Sequence, residues 1–208
     1  MIFKLCGIKT KNNFGDLDKV DIDMVGLNFY PQSPRFVEDN VAMADLAEAV
    51  PKSIKKVGVF VNEDLAEVEW RAASFGLDYL QLHGDEDIDY CQAAKQFAKI
   101  IKVFKVDDDF DFATTTPFES LSSFFLFDTP SPDHGGSGES FDWSKLADYQ
   151  GQTKFILAGG IGPDDVDKVK GFSHPAFHGV DLNSKFEFAV ANKHMREVYD
   201  FVSAVKKA

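Results

Sequence analysis

The chain has 208 residues, 44% of them hydrophobic and 21 of them phenylalanine, which is ample for a packed core and excludes a disordered polypeptide. Its 22 basic and 34 acidic residues give a formal charge of −12, a surface that repels nucleic acid and anionic membrane while leaving a cleft free to take a small anion. The two cysteines, Cys6 and Cys91, lie far apart without CxxC spacing, so neither a disulfide framework nor a zinc site is indicated and a reducing compartment fits best.

The first apolar run, "IFKLC" at 2–6, starts almost at once, with no charged segment leading into a long apolar stretch. No signal peptide is expected, no run is long enough to span a bilayer, and a cytoplasmic protein follows. The run ends in a cysteine directly before a glycine. Such a thiol is either a small buried hydrophobe or a reactive group held at a strand end. Further β-rich runs follow at 24–30, 56–61, 79–83, 100–106, 124–128, 155–159 and 177–182. Between most of them, amphipathic stretches predict helices over 37–50, 64–76, 86–98, 140–149 and 163–172, with another over 192–207. Pro163-Asp164-Asp165 reads as a helix N-terminus and Gly76 as a glycine stop. The connections at 11–20 and 107–122 lack helical pattern, so reduced or irregular helices are expected there.

Eight strand–helix pairs with no long linker point to an α/β fold, a single-domain (β/α)8 barrel over residues 1–208. A doubly wound open sheet is the alternative that alternation alone leaves open. The barrel makes the sharper prediction, because polar groups that do chemistry should then collect at the C-terminal ends of strands. Cys6, Asp128 and Asp181 end the first, sixth and eighth runs, Gln81 and His83 lie in the fourth, and Gly159-Gly160 close the seventh.

The longest connection, "DTPSPDHGGSGESFDW" from Asp128 to Trp143, is of a length common in binding loops or lids, and its glycine centre offers backbone N–H groups to an anion; a plain surface loop reads equally well. "LAGGI" at 157–161 places a second glycine pair between a strand and a helix start, where amides can face a phosphate. The loops after strands seven and eight often share one phosphate in barrels, which draws in "GVDLNSKFE" at 179–187. Arg35, in "YPQSPRFV", reads by default as a solvated surface residue, although its guanidinium suits a carboxylate bound through two parallel hydrogen bonds. His83 reads as a scaffold group, Cys91 as core, and no histidine has metal-ligand spacing, so no metal is expected.

Taken in order, "KLCGIKT", "GLNFYPQSPRFV", "VGVFVNED", "LDYLQLHGDED", "IKVFKV", "FDTPSPDHGGSGESFDW", "ILAGGIGPDDV" and "GVDLNS" resemble the phosphoribosylanthranilate isomerase family of (β/α)8 barrels over nearly the whole chain. The resemblance implies an Amadori rearrangement in tryptophan biosynthesis, without a cofactor, on a small phosphoribosyl substrate. It implies Asp128 as general acid and Cys6 as general base. By the same likeness Arg35 holds the anthranilate carboxylate, and Gly136, Ser137, Gly138, Gly159, Gly160, Asn183 and Ser184 cradle the phosphate. Asp181 lines the site, and Gln81 and His83 position the substrate. The family includes monomers and homodimers; nucleic-acid and membrane partners are not expected. One departure is visible: where the family reads Asp-Val-Ser-Ser-Gly-Val-Glu after strand eight, this chain reads "DLNSKFE", with Asn183 for a serine and Lys185 for the glycine. A barrel kept as a phosphosugar-binding module would have no need of the Cys6–Asp128 pair. Indole-glycerol-phosphate synthase chemistry would call for a catalytic lysine and glutamates at strand ends, and pentulose-phosphate epimerase chemistry for metal-binding histidines and acids; neither set is evident.

Overall fold

The computed structural model describes residues 1–38, 41–130 and 141–207, with the backbone alone for 41–44. Eight parallel strands close into a barrel in sequence order: β1 (Ile2–Cys6), β2 (Met24–Asn28), β3 (Lys55–Phe60), β4 (Tyr79–Leu82), β5 (Lys99–Lys105), β6 (Ser122–Asp128), β7 (Phe155–Leu157) and β8 (Phe177–Leu182). Closure comes from β1 pairing with β8 in the register Ile2–Gly179, Phe3–Val180, Lys4–Asp181 and Leu5–Leu182, which removes the open-sheet alternative.

Side chains alternate across each strand and so feed two cores. Met24, Val57, Tyr79, Ile101, Val103, Leu126, Ile156 and Ala158 point inward and fill the barrel. Phe3, Leu5, Val25, Leu27, Leu80, Phe125, Phe127, Phe155 and Leu157 point outward, beneath the surrounding helices. The barrel interior is therefore filled by packed side chains.

The helical layer is uneven. Helices α1 (Lys11–Gly15), α2 (Val41–Glu48), α3 (Leu65–Phe75), α4 (Ile88–Ala94), α5 (Val166–Gly171) and α6 (Met195–Lys206) are supplemented by 3-10 segments. Asp64 caps α3 by accepting from the Ala66 N–H, and Gly76 ends it in the left-handed conformation, φ 57°. The two connections without helical pattern hold only α1 with a 3-10 turn at Leu17–Lys19, and a 3-10 helix at Phe112–Phe118. The helix expected over 140–149 is instead a six-residue 3-10 helix, Trp143–Asp148. The Asp142 side chain caps it by accepting from the Ser144 N–H, and Tyr149 beyond it is extended. After β8 the chain adds a small antiparallel pair that the sequence pattern did not indicate, β9 (Glu187–Ala189) with β10 (Asn192–Lys193). No helix among the described residues is long and apolar enough to cross a membrane.

Candidate active site

Strand alternation decides which side chains reach the mouth of the barrel. Lys4 and Cys6 of β1 face inward, as do Gln81 of β4, Asp128 of β6 and Asp181 of β8, while His83 follows directly after β4. A cleft at the C-terminal face is lined by Cys6, Arg35, Gln81, His83, Asp128, Gly159, Gly160, Asp181, Asn183 and Ser184, with Asn28, Ser33 and the apolar Val59, Ala158 and Ile161. Thus ten residues singled out from sequence meet in one place, drawn from segments as far apart in the chain as β1 and β8. Gly136, Ser137 and Gly138 lie outside the described residues.

Cys6 is 5% exposed, and the glycine that follows it has two physical reasons to be there. Gly7 sits at φ 76°, and a Cβ on it would lie 2.5 Å from Arg35 Cδ. Only glycine both adopts that backbone and lets Arg35 cross the end of β1. Burial pushes the Cys6 thiol above its ordinary range, against the pull of the Lys4 ammonium.

Asp128 is 20% exposed at its side chain and has its pKa raised to about 6, chiefly by burial. The Thr129 N–H donates to Oδ1 at 2.8 Å and opposes that rise, Asp181 adds to it, and Lys4 and Lys105 oppose it. His83 Nε2 lies 3.5 Å from Asp128 Oδ2, and its Nδ1 is 3.3 Å from Gln81 Nε2. A carboxyl in this setting exchanges its proton near neutral pH, which an exposed aspartate does not.

Asp181 and Lys4 form a buried ion pair at 2.8 Å, directly across the β1–β8 register. Burial disfavours the Lys4 ammonium, but Asp181 and Cys6 more than offset this and its pKa is raised. Asp181 Oδ1 is buried without a hydrogen-bond partner, as is Gln81 Oε1, and both residues line the cleft. Two unpaired acceptors buried beside an open cleft are each costly unless a ligand donates to them.

Arg35 overturns its default reading as a solvated surface residue, being only 8% exposed. Its fork is already engaged: Nε and Nη2 donate to Glu187 at 2.9 and 2.6 Å. Lys193 Nζ donates to Glu187 at 2.6 Å and to Asn183 Oδ1 at 2.7 Å, tying the loop after β8 to the arginine. Burial lowers the Lys193 pKa to about 8. Glu187 is held below the usual carboxylate range: burial works against ionisation, and Arg35 and Lys193 outweigh it. Sequence reasoning missed Lys4, Glu187 and Lys193. A lysine two places before Cys6 on a strand was a readable signal, since i and i+2 share a face; Glu187, 152 residues from Arg35, gave none.

Directly after β7, Gly159 and Gly160 line the cleft and both have positive φ, 83° and 65°. Successive residues of this kind turn backbone N–H groups into a concavity suited to an anion. Lys185, which stands where the related pattern has glycine, is exposed and does not line the cleft. Among the described residues only Asn62 and Ala191 are non-glycines at positive φ, so the lysine is accommodated without left-handed backbone. Among the described residues there is also no cluster of three or more His, Cys, Asp or Glu that could hold a metal ion.

A family model described as N-(5′-phosphoribosyl)anthranilate isomerase matches residues 3–204. Among relatives, the N-(5′-phosphoribosyl)anthranilate isomerase of Parabacteroides distasonis is 38% identical over 206 residues, covering 99% of this chain and 93% of its own length. That of Phocaeicola vulgatus is 36% identical over 208 residues, with 100% and 98% covered. The solved phosphoribosyl anthranilate isomerase of Thermotoga maritima superposes with a TM-score of 0.88 at 29% identity, each chain covered to 100%. A further solved isomerase structure, in complex with reduced 1-(o-carboxyphenylamino)-1-deoxyribulose 5-phosphate, superposes with a TM-score of 0.85 at 26% identity over 100% of both chains.

Proposed function

The chain belongs to the N-(5′-phosphoribosyl)anthranilate isomerase family, and from that membership we propose that its cleft carries the reaction with Asp128 as general acid and Cys6 as general base. It is an aldose–ketose isomerase of tryptophan biosynthesis. One observation carries the residue assignment: a carboxyl with its pKa near 6 and a buried thiol stand on different strands and open onto the same cleft.

The reaction converts N-(5′-phosphoribosyl)anthranilate into 1-(2-carboxyphenylamino)-1-deoxyribulose 5-phosphate. Asp128 gives its proton to the ribose ring oxygen while the C1′–O bond breaks, and the anthranilate nitrogen lone pair forms the C1′=N bond of a Schiff base. The Cys6 thiolate then removes the C2′ proton, and the released electron pair makes the C1′=C2′ bond of an enolamine. Loss of the enol proton and protonation at C1′ give the ketone. No atoms or electrons are gained or lost, so acid–base groups suffice.

The substrate's two anionic groups each have donors in the cleft. The phosphate is received by the Gly159-Gly160 amides with Asn183 and Ser184, joined by Gly136, Ser137 and Gly138. The anthranilate carboxylate is met by Arg35, through the Nη1 that its pair with Glu187 does not use. Ribose hydroxyls donate to the unpaired acceptors Asp181 Oδ1 and Gln81 Oε1, with His83 holding Gln81 and Asp128 in place. The chain acts as one barrel domain over residues 1–208, without a cofactor.

The test is loss of anthranilate-type fluorescence when the purified protein is mixed with freshly generated phosphoribosylanthranilate. Rapid protein-dependent loss is expected. A folded protein that leaves the signal unchanged would contradict the proposed activity.

A further inference from the structure

We propose that Lys4 is a positioning residue for this reaction, holding a cation against the Cys6 sulfur so that a thiolate can form inside the barrel. The inference rests on Cys6 being the base. Lys4 is fully buried on the inward face of β1, one pleat below Cys6. Its Nζ is fixed by the 2.8 Å bond to Asp181 across the β1–β8 register.

On the other side of β1 the residue opposite Cys6 is Gly26 of β2. A Cβ on Gly26 would lie 2.7 Å from Cys6 Sγ and 3.2 Å from Lys4 Nζ. Sulfur and ammonium therefore converge on a single point that any larger residue would fill. The charged groups facing Cys6 come from each element around it: Lys4 from β1, Asp181 from β8, Lys193 from β10 and Arg35 from the segment after β2. Lys4, Lys193 and Arg35 favour a thiolate, whereas Asp181 and burial oppose it. Lys4 is the strongest of the favourable influences.

A structural role alone explains the pair poorly. Two apolar side chains would pack the barrel interior without the desolvation cost of a buried ion pair. What an apolar pair cannot supply is a permanent cation beside the thiol, and a thiol in apolar surroundings is otherwise inert.

The experiment measures the pH midpoint of Cys6 ionisation from thiolate absorbance in a Cys91→Ala background, with the matching Cys6→Ala protein subtracted. Removing Lys4 alone would leave Asp181 charged and unpaired and risks the fold. The decisive comparison is therefore Asp181→Asn against Lys4→Met/Asp181→Asn, which differ only in the Lys4 ammonium; in the single variant its Nζ keeps an acceptor in the asparagine Oδ1. The midpoint is expected to be higher in the double variant by about one pH unit or more. Where Lys4→Met folds, turnover at neutral pH is expected to fall by roughly tenfold or more, with KM little changed. Coincident midpoints, with Cys6→Ala inactive, would overturn the role of Lys4 and leave the base assignment standing. Near wild-type turnover in folded Cys6→Ala would overturn both.

Discussion

Burial acts on the acid and the base in the same direction, raising the Asp128 carboxyl to about 6 and the Cys6 thiol above its ordinary range. The productive form, with Asp128 protonated and Cys6 ionised, carries as many protons as the dominant form with a carboxylate and a thiol. Its population follows the loss of the first proton and disappears with the loss of the second. Hence kcat/KM should rise as pH passes through about 6 and fall only above the ordinary thiol range. Because the substrate phosphate also ionises near the lower limb, carboxyl NMR is the cleaner check. One aspartate resonance should titrate at about 6 and be missing from Asp128→Asn. Activity falling through the same pH range would place the thiol below the carboxyl and contradict burial as the main influence on Cys6. For Arg35→Ala, loss of a charge-assisted contact predicts a KM higher by roughly tenfold or more, with kcat less affected. An unchanged KM would remove Arg35 from carboxylate binding.

At the scale of elements, the loop geometry after β7 is set by contacts that leave no space for a side chain. A Cβ on Gly159 would lie 2.2 Å from Thr129 Oγ1 and 2.9 Å from the Thr129 backbone nitrogen, at φ 83°. Gly159→Ala should destabilise the protein by about 1–3 kcal/mol and raise KM, because the amides that face the phosphate must move with the backbone. Thermal unfolding and steady-state kinetics check the two effects, and wild-type values for both would show that the turn relaxes freely. The same contact explains why "GG" was readable in the sequence while its reason was not: Thr129 follows β6, in another part of the chain. Likewise "FDWSKLADY" has helical spacing, yet it winds as a 3-10 helix of only six residues, a distinction that apolar spacing over so short a stretch does not carry. The small β9–β10 pair was missed because two- and three-residue strands leave almost no periodic trace.

For the whole molecule, the strands were legible because a parallel strand covered on both faces reads as an apolar run. Eight strand–helix pairs pointed to closure without excluding an open sheet; the β1–β8 register, where Lys4 meets Asp181, closes the ring. Placement of the site followed from closure. Once the strands form a ring, Cys6, Gln81, Asp128 and Asp181 reach one mouth because each sits at an inward position near a strand's C-terminal end. What stayed hidden was the set of charges that holds them there. Lys4 was readable from its place two residues before Cys6, whereas Arg35 meets the segment that carries Asn183, Glu187 and Lys193 only through a contact between residues 152 apart in sequence. A chain of net charge −12 thus keeps three buried cations, Lys4, Arg35 and Lys193, around the place where an anionic substrate is expected.

The most direct measurement is the initial rate of anthranilate fluorescence loss at neutral pH for the wild type beside Cys6→Ala and Asp128→Asn, each first shown to be folded by circular dichroism. The account predicts a rate lower by at least ~10²-fold in each variant, the scale of losing a general acid or base. A folded variant turning over at close to the wild-type rate would contradict the pairing of Asp128 and Cys6 as acid and base.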